Sequence, residues 1–137
     1  MKTTRMLTAA ATTVALGLSV LTASPAEAAV TRSFSVSAYD GAAWGTVTFN
    51  NYSWTVDAYI YRDSSASITL KICGWQTLDN GNNATLVCKS ASNGGSIGST
   101  RHVTTLGATA NWAQVFAATA DLYVNGSYVT GQWVYKY

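Results

Sequence analysis

Hydrophobic and polar residues alternate with a period of two along most of residues 29–137, and no segment there shows helical periodicity. Four segments show the alternation clearly. Their hydrophobic positions are Phe34, Val36 and Ala38; Trp54, Val56, Ala58 and Ile60; Ala66, Ile68, Leu70 and Ile72; and Ala118, Ala120, Leu122 and Val124. Because successive side chains of a strand point to opposite faces, this pattern predicts an all-β domain whose strands each bury one face.

Turn-forming residues separate these segments. They lie at Asn50-Asn51, at residues 63–65, at Asn80-Gly81 and at Asn125-Gly126. We count seven to nine strands, which is too many for one flat sheet to bury its hydrophobic face. The predicted fold is therefore an antiparallel β-sandwich or a partly closed barrel. After residue 29 the chain has no proline, so its edge strands lack one common protection against pairing with other chains.

The strongest hairpin signal is Asn125-Gly126, because a type I′ turn requires positive φ at both central positions. A hairpin centred there pairs Tyr123 with Tyr128. Continued without interruption, the same register turns Trp133 and Tyr135 toward the core.

The other connections are less regular. A hairpin centred on Asn50-Asn51 pairs Phe49 with Tyr52. Residues 89–99 are rich in Gly and Asn, and they predict either a flexible surface loop or a crossover between two sheets. Another short strand is predicted over residues 100–106 and a turn over residues 107–111.

The two cysteines, Cys73 and Cys88, are expected to form a disulfide. A hairpin around Asn80-Gly81 makes them direct cross-strand neighbours. A strict two-residue loop would make them a hydrogen-bonded pair, so we expect a longer loop or a bulge. According to the chain-entropy model, a disulfide that closes such a loop stabilises the folded state by about 3 kcal/mol. With no CxxC motif and with His102 as the only histidine, we expect no metal site and no cofactor.

Residues 1–28 have the pattern of a secretory signal peptide. Lys2 and Arg5 give a positive start, residues 7–21 are apolar, and residues 26–28 supply the small–x–small pattern of a cleavage site. The apolar run is shorter than the roughly 20 residues that span a bilayer. We expect cleavage after Ala28, a single secreted, extracellular domain over residues 29–137, and no membrane insertion after cleavage.

Composition and charge narrow the range of partners. From residue 29 onward the chain has six Lys or Arg, five Asp and no Glu. This balance provides no basic face, so we expect no nucleic-acid partner. The same residues include five Trp, eight Tyr and three Phe, a content that excludes an intrinsically disordered chain.

Catalysis has weak support in this sequence, and we expect a non-catalytic protein. Without Glu, a carboxylate pair would need the aspartates, which lie in predicted turns or at outward strand positions. A Ser-His-Asp set would have to use His102, and the Gly-x-Ser-x-Gly spacing at residues 94–98 lies in a predicted loop or crossover with no strand-to-helix turn after it. A small hydrolase is therefore the third hypothesis. It requires His102 within hydrogen-bond reach of both an Asp and a Ser or Thr hydroxyl.

Four tyrosines point away from the predicted core and form the candidate binding surface: Tyr59, Tyr61, Tyr123 and Tyr128. Trp44 and Trp75 either join this surface or cap the core. Exposed aromatics are typical of protein interfaces and of sugar-stacking platforms, although cross-strand aromatic pairs also stabilise sheets. The leading hypothesis is binding of another extracellular protein in an adaptor or inhibitor role. The alternative is a carbohydrate-binding module, in which coplanar Tyr and Trp rings bind a glycan.

The leader, the length of residues 29–137 and the single disulfide resemble those of small secreted β-sandwich proteins of actinobacteria. The resemblance covers the whole chain and concerns overall build. That group includes protein inhibitors, carriers of hydrophobic ligands and small subunits of extracellular toxin assemblies, such as the adaptor subunit of the umbrella toxin particle. The resemblance implies a secreted binding protein, and it assigns no site residue.

Overall fold

The structure is a computed structural model that describes residues 28–78, 80–109 and 114–137. Residues 1–27, which hold nearly all of the predicted signal peptide, lie outside the described residues. Within the described ranges the chain forms nine strands and no helix. The strands are β1 (Val30–Ala38), β2 (Gly41–Phe49), β3 (Ser53–Arg62), β4 (Ile68–Thr77), β5 (Asn83–Asn93), β6 (Thr100–Val103), β7 (Gly107–Thr109), β8 (Val115–Val124) and β9 (Ser127–Tyr135).

These strands form two antiparallel sheets. In the five-stranded sheet the order is β1-β2-β3-β6, and β7 also pairs with β3. In the four-stranded sheet the order is β5-β4-β8-β9. The hydrophobic faces of the two sheets enclose one core. The predicted antiparallel β-sandwich of seven to nine strands is therefore confirmed, and the described strands do not close into a barrel.

The core consists of the hydrophobic positions that alternate along the strands. In all four predicted segments these positions are buried, apart from Ala38 and Val124, which are partly buried and pack against the core. Burying a large hydrophobic side chain contributes about 1.5–3 kcal/mol relative to leaving it exposed. The alternation therefore accounts for the two-layer arrangement as well as for the strands themselves.

Trp54 joins the two sheets by packing directly on the backbone of Gly74 in β4. A Cβ atom placed on Gly74 would lie 2.2 Å from Nε1 and 2.6 Å from Cδ1 of the Trp54 indole. The Trp54 ring is fully buried, so it has no room to move aside. The absence of a side chain at position 74 is what allows β3 and β4 to approach each other at this point.

The predicted pairing of β2 with β3 is wrong by two residues. Phe49 pairs with Trp54 and not with Tyr52, and the later pairs shift with it. The loop is longer than the two residues assumed, and across it the N–H of Asn50 donates to the carbonyl of Ser53 (2.9 Å). A shift of two residues leaves each side chain on its predicted face, so burial was predicted correctly although the partners were not.

Cys73 and Cys88 are direct cross-strand neighbours and form the predicted disulfide. The register between β4 and β5 shifts between Cys73 and Trp75, which confirms the expected irregularity. The loop at the end of this hairpin is also longer than two residues. Its ends are held by the N–H of Leu78, which donates to the carbonyl of Asn82 (2.7 Å).

Residues 89–99, which follow the disulfide, were predicted to form a loop or a crossover, but their first part is a strand. β5 continues through Asn93, so the connection begins only at residue 94. Residues 94–99 then cross from the four-stranded sheet to β6, which is the second of the two predicted alternatives. The buried Asn93 side chain fixes this crossover, because its Nδ2 donates to the carbonyl oxygens of Ile60 and Ser99 (both 2.9 Å).

Two short strands, β6 and β7, follow the crossover. The strand predicted over residues 100–106 is confirmed for the four residues of β6. The turn predicted over residues 107–111 is wrong for its first part, because β7 occupies residues 107–109 and pairs with β3. Residues 110 and 111 lie outside the described ranges.

The hairpin between β8 and β9 begins as predicted. Asn125 and Gly126 have φ angles of 49° and 81°, as a type I′ turn requires, and Tyr123 pairs with Tyr128. Directly afterwards, however, Val129 has no place in the ladder, and the register shifts by one residue. This irregularity is a β-bulge on the strand that ends the domain.

The bulge at Val129 reverses the orientation of the rest of β9. Val134 is 3% exposed and lies in the core, whereas Trp133 and Tyr135 are 44% and 53% exposed. The prediction that Trp133 and Tyr135 face the core is therefore wrong. A slip of one residue exchanges the two faces of a strand, and the alternation in the sequence carries no mark of the extra residue.

Two side chains link the edge strands β1 and β9 along one side of the sandwich. The backbone N–H of Ser35 donates to Oε1 of Gln132 (2.9 Å). Nε of Arg32 donates to the carbonyl of Lys136 (3.2 Å). Backbone groups at the edges of both sheets are thus hydrogen-bonded although no ladder joins the two strands.

Gly74→Ala is expected to destabilise the domain by about 1–3 kcal/mol, because the added methyl group overlaps the buried ring of Trp54. The free energy of unfolding, obtained from urea denaturation, measures this effect. Gly94→Ala is the matched control, since nothing lies within 4 Å of a Cβ atom at that position. Equal stability of the two variants would contradict the direct packing of Trp54 on Gly74.

Candidate functional site

The outer face of the four-stranded sheet carries a cluster of three aromatic rings from Trp75, Trp133 and Tyr135, which we name the outer aromatic cluster. The ring centroids of Trp75 and Trp133 are 4.8 Å apart with their planes at 46°. Those of Trp133 and Tyr135 are 5.8 Å apart with planes at 15°. Trp133 and Tyr135 are among the large exposed hydrophobic side chains of the domain.

Small residues on β8 allow the rings from β4 and β9 to meet. Ala117 pairs with Trp75 on one side and with Tyr135 on the other. Although Ala117 lies on the outer face, it is fully buried, because the rings of the neighbouring strands cover it. Thr119 accepts a hydrogen bond from Nε1 of Trp75 (3.2 Å), which fixes the orientation of that indole.

The disulfide lies beside this cluster. Cys73 pairs with Cys88 on one side and with Thr119 on the other, and Thr119 in turn pairs with Trp133. The bridge therefore sits in the same cross-strand row as Trp133. Because it ties β5 to β4 covalently, it holds the strand that presents Trp75.

A charged pair forms the middle of the same face. Lys71 and Asp121 are direct cross-strand partners, and Gly131 is the partner of Asp121 on β9. A Cβ atom on Gly131 would lie 2.3 Å from Oδ1 of Asp121, so the carboxylate occupies the space above the glycine. Burial raises the pKa of Asp121, and the positive charge of Lys71 opposes this shift.

The predicted Tyr123–Tyr128 pair lies at the other end of this face. The two rings meet edge to face, with centroids 5.8 Å apart. Nζ of Lys71 lies 5.7 Å from the centre of the Tyr123 ring. Next to them is a pocket of about 150 Å³, lined by Thr69, Lys71, Ser90, Tyr123 and Gly126.

The other two predicted tyrosines lie on the opposite side of the sandwich, on the outer face of the five-stranded sheet. Tyr59 stands in a row of three stacked rings, Trp44–Tyr59–His102, which we name the aromatic row. Tyr61 lies next to this row and donates a hydrogen bond to Oδ1 of Asp63 (3.0 Å). This bond and the charge of the carboxylate raise the pKa of the Tyr61 hydroxyl. The four tyrosines thus point outward as predicted, but on two separate surfaces.

His102 meets only part of the requirement for the hydrolase hypothesis. Its Nε2 is 2.7 Å from Oδ1 of Asp57, on an open sheet face where both side chains are exposed. In the part of the chain that the structure describes, no serine or threonine hydroxyl is hydrogen-bonded to the imidazole. The Asp–His pair is therefore present without the nucleophile that a triad needs.

Residues 28–78, 80–109 and 114–137 contain neither a metal-binding cluster nor a membrane-spanning helix. In these ranges no group of three or more His, Cys, Asp or Glu side chains is arranged to hold a metal ion. Asp79, in the predicted turn before Asn80, lies outside the described residues. Nor do these ranges contain a helix of the length and apolar character needed to span a bilayer.

Two of the three cluster residues were missed by sequence reasoning, because Trp133 and Tyr135 were predicted to face the core. Trp75 was identified as a candidate, but capping of the core was equally consistent with its position. The outward orientation of the two missed residues results from the bulge at Val129. On the uninterrupted register, Thr130, Gln132 and Val134 would have faced solvent. Two polar residues and one valine are an acceptable outward pattern, so the alternation did not reveal the bulge.

Comparison with known proteins gives no match: no family model fits the chain, and neither a curated protein nor a solved structure is similar to it. Function is therefore inferred from the chemistry of the two outer faces.

Asp121→Asn is expected to raise the melting temperature at pH 7. The pKa of Asp121 is raised in the folded state, so the stability linked to this carboxyl is fully present at low pH and is lost as the pH rises through the folded-state pKa. The amide keeps the shape without the buried charge. Calorimetric melting at several pH values between 3 and 7 measures the effect, and the gain should disappear at the acidic end, where the wild-type carboxyl is protonated.

Lys71→Met is the companion variant for this experiment. Removing the cation raises the pKa of Asp121 further, so the loss of stability with rising pH should become larger than in the wild type. If Asp121→Asn instead lowered the melting temperature at pH 7, the attraction of Lys71 would outweigh burial at this position.

Proposed function

We propose that this is a secreted, non-catalytic protein that binds another extracellular protein, in an adaptor or inhibitor role, through the outer aromatic cluster. The observation that carries the proposal is the exposure of Trp133 and Tyr135 next to each other on a sheet face. Trp and Tyr are the residues most enriched at the energetic centres of protein interfaces. Two such side chains in contact form a natural anchor for a partner.

The cluster is held rigid before a partner arrives. Its residues stand on strands, Thr119 orients the Trp75 indole, and the disulfide ties down the neighbouring strand. Side chains that are already ordered lose less conformational entropy on binding, so more of the contact energy appears as affinity. This supports a stable binding surface.

The surroundings of the cluster also fit a protein interface. Lys71 and Asp121 provide charges beside the aromatic centre, and the Tyr123–Tyr128 pair continues the surface beyond them. Protein interfaces commonly combine an aromatic, well-packed centre with a polar rim. Charged groups at such a rim contribute mainly to specificity and to the association rate.

The ring geometry favours a protein over a sugar at this cluster. A platform that stacks several sugar rings along a chain needs coplanar aromatic rings, and the Trp75 and Trp133 planes are inclined at 46°. The three rings therefore form an uneven surface. A folded partner can match such a surface with its own side chains, whereas a flat polysaccharide chain cannot contact all three ring faces.

Secretion is part of this proposal. The pattern of residues 1–28 and the Cys73–Cys88 disulfide are both consistent with an exported protein. We expect protein recovered from the medium of a secreting host to begin at Ala29. Intact-mass measurement of that protein tests the cleavage position, and a mass that includes the apolar residues 7–21 would contradict it.

The binding proposal is tested by affinity capture with the processed protein, residues 29–137, from secreted fractions and from extracts of neighbouring cells. We expect a protein partner whose recovery falls about 30-fold with Trp133→Ser, since loss of a central tryptophan typically costs 2 kcal/mol or more. Tyr39→Ser is the matched control, because Tyr39 is an aromatic residue that is 95% exposed and lies outside the cluster. No partner in any extract, or equal loss with both variants, would count against the proposal.

A further inference from the structure

We propose that the outer face of the five-stranded sheet is a second binding site, in which a neutral β-linked pyranose sugar stacks on Trp44. This site is separate from the outer aromatic cluster, because the two faces lie on opposite sides of the sandwich. The inference does not depend on the proposed protein partner.

The aromatic row leaves one ring face uncovered. Tyr59 is stacked between Trp44, at 5.9 Å and 18°, and His102, at 4.5 Å and 10°. Trp44 has Tyr59 on one side, while its cross-strand neighbour on the other side is Ser35. A serine side chain is too short to cover an indole. The Trp44 face toward β1 is therefore open, and Trp44 is itself exposed.

The open indole face stands beside a low strip of serines. Ser33, Ser35 and Ser37 all point outward from β1 and are exposed. The tall indole of Trp44 beside the short serine side chains of β1 leaves a step in the surface. The step is about as wide as the spacing between neighbouring strands, which is about 4.8 Å. A single sugar ring fits such a step with its apolar C–H face against the indole and its hydroxyl groups toward the serines.

The polar groups around the step suit hydroxyl recognition. Most outward-facing residues on β1, β2 and β3 carry hydroxyl groups, each of which can both donate and accept a hydrogen bond. They include Thr31, Ser33, Ser35, Ser37, Thr46 and Thr48. Sugars likewise offer hydroxyl groups in both roles, so the two surfaces are complementary.

Charge limits the class of sugar. Among the described outward-facing residues of β1, β2, β3 and β6, Asp57 is the one acidic side chain, and there is no Lys or Arg. Asp57 is paired with His102 at the far end of the aromatic row from the serines. Acidic sugars and phosphates would find no cation to pair with, which favours a neutral ligand. β-Linked pyranoses with equatorial substituents present the flattest C–H face to an aromatic ring.

The experiment uses cellohexaose and chitohexaose as probes, added to ¹⁵N-labelled protein while the tryptophan indole N–H signals are followed by NMR. We expect the Trp44 signal to shift saturably with at least one probe, and the Trp133 signal to stay in place. Hexagalacturonate, which is anionic, should give no shift. Absence of a Trp44 shift with both neutral probes at 10 mM, or an equal shift with hexagalacturonate, would overturn the proposal.

Two variants keep the result interpretable. Trp44→Ala should weaken binding at least 10-fold, and Ser35→Tyr should do the same by covering the open indole face while keeping Trp44 in place. Trp133→Ser should bind the sugar as the wild type does, so a failure of the sugar site and a failure of the protein site are distinguishable. A shift of Trp133 in place of Trp44 would move the sugar to the outer aromatic cluster and would contradict this proposal.

Discussion

One close contact sets how near the two sheets approach each other where β3 faces β4: the Trp54 ring of one sheet lies on the Gly74 backbone of the other. The residue after Gly74 is Trp75, which points to the opposite side of β4 and joins the outer aromatic cluster. A core contact and a candidate binding surface are therefore adjacent along one strand. Because the indole N–H of Trp54 has no hydrogen-bond partner among the described residues, packing is what holds this ring in place.

The period of two was sufficient to predict which residues are buried in the four segments that correspond to β1, β3, β4 and β8. It works because each strand has one face on the core, so any register error of two residues, such as that at Phe49, leaves burial unchanged. Hairpins anchored by short-range signals, such as Asn125-Gly126, were predicted down to the Tyr123–Tyr128 pair. Local rules thus account for most of the architecture.

The candidate site was harder to predict, and the reason is physical. A bulge costs a strand little and leaves no composition signal, but it turns every later residue to the other face. Val129 does this in β9, and Trp133 and Tyr135 consequently become surface residues. The separation of Tyr59 from Tyr123 was also beyond local reasoning, because alternation shows that a side chain points outward without showing which sheet its strand joins.

The hydrogen bonds that Gln132 and Arg32 make across the β1–β9 side have a consequence for how the domain behaves at high concentration. An uncovered edge strand can recruit a strand from a neighbouring molecule and so start fibril growth. With the Ser35 amide already engaged by a glutamine side chain, an incoming strand would first have to displace an intramolecular bond. A chain without proline in its strands thus gains resistance to aggregation on this side from two long polar side chains.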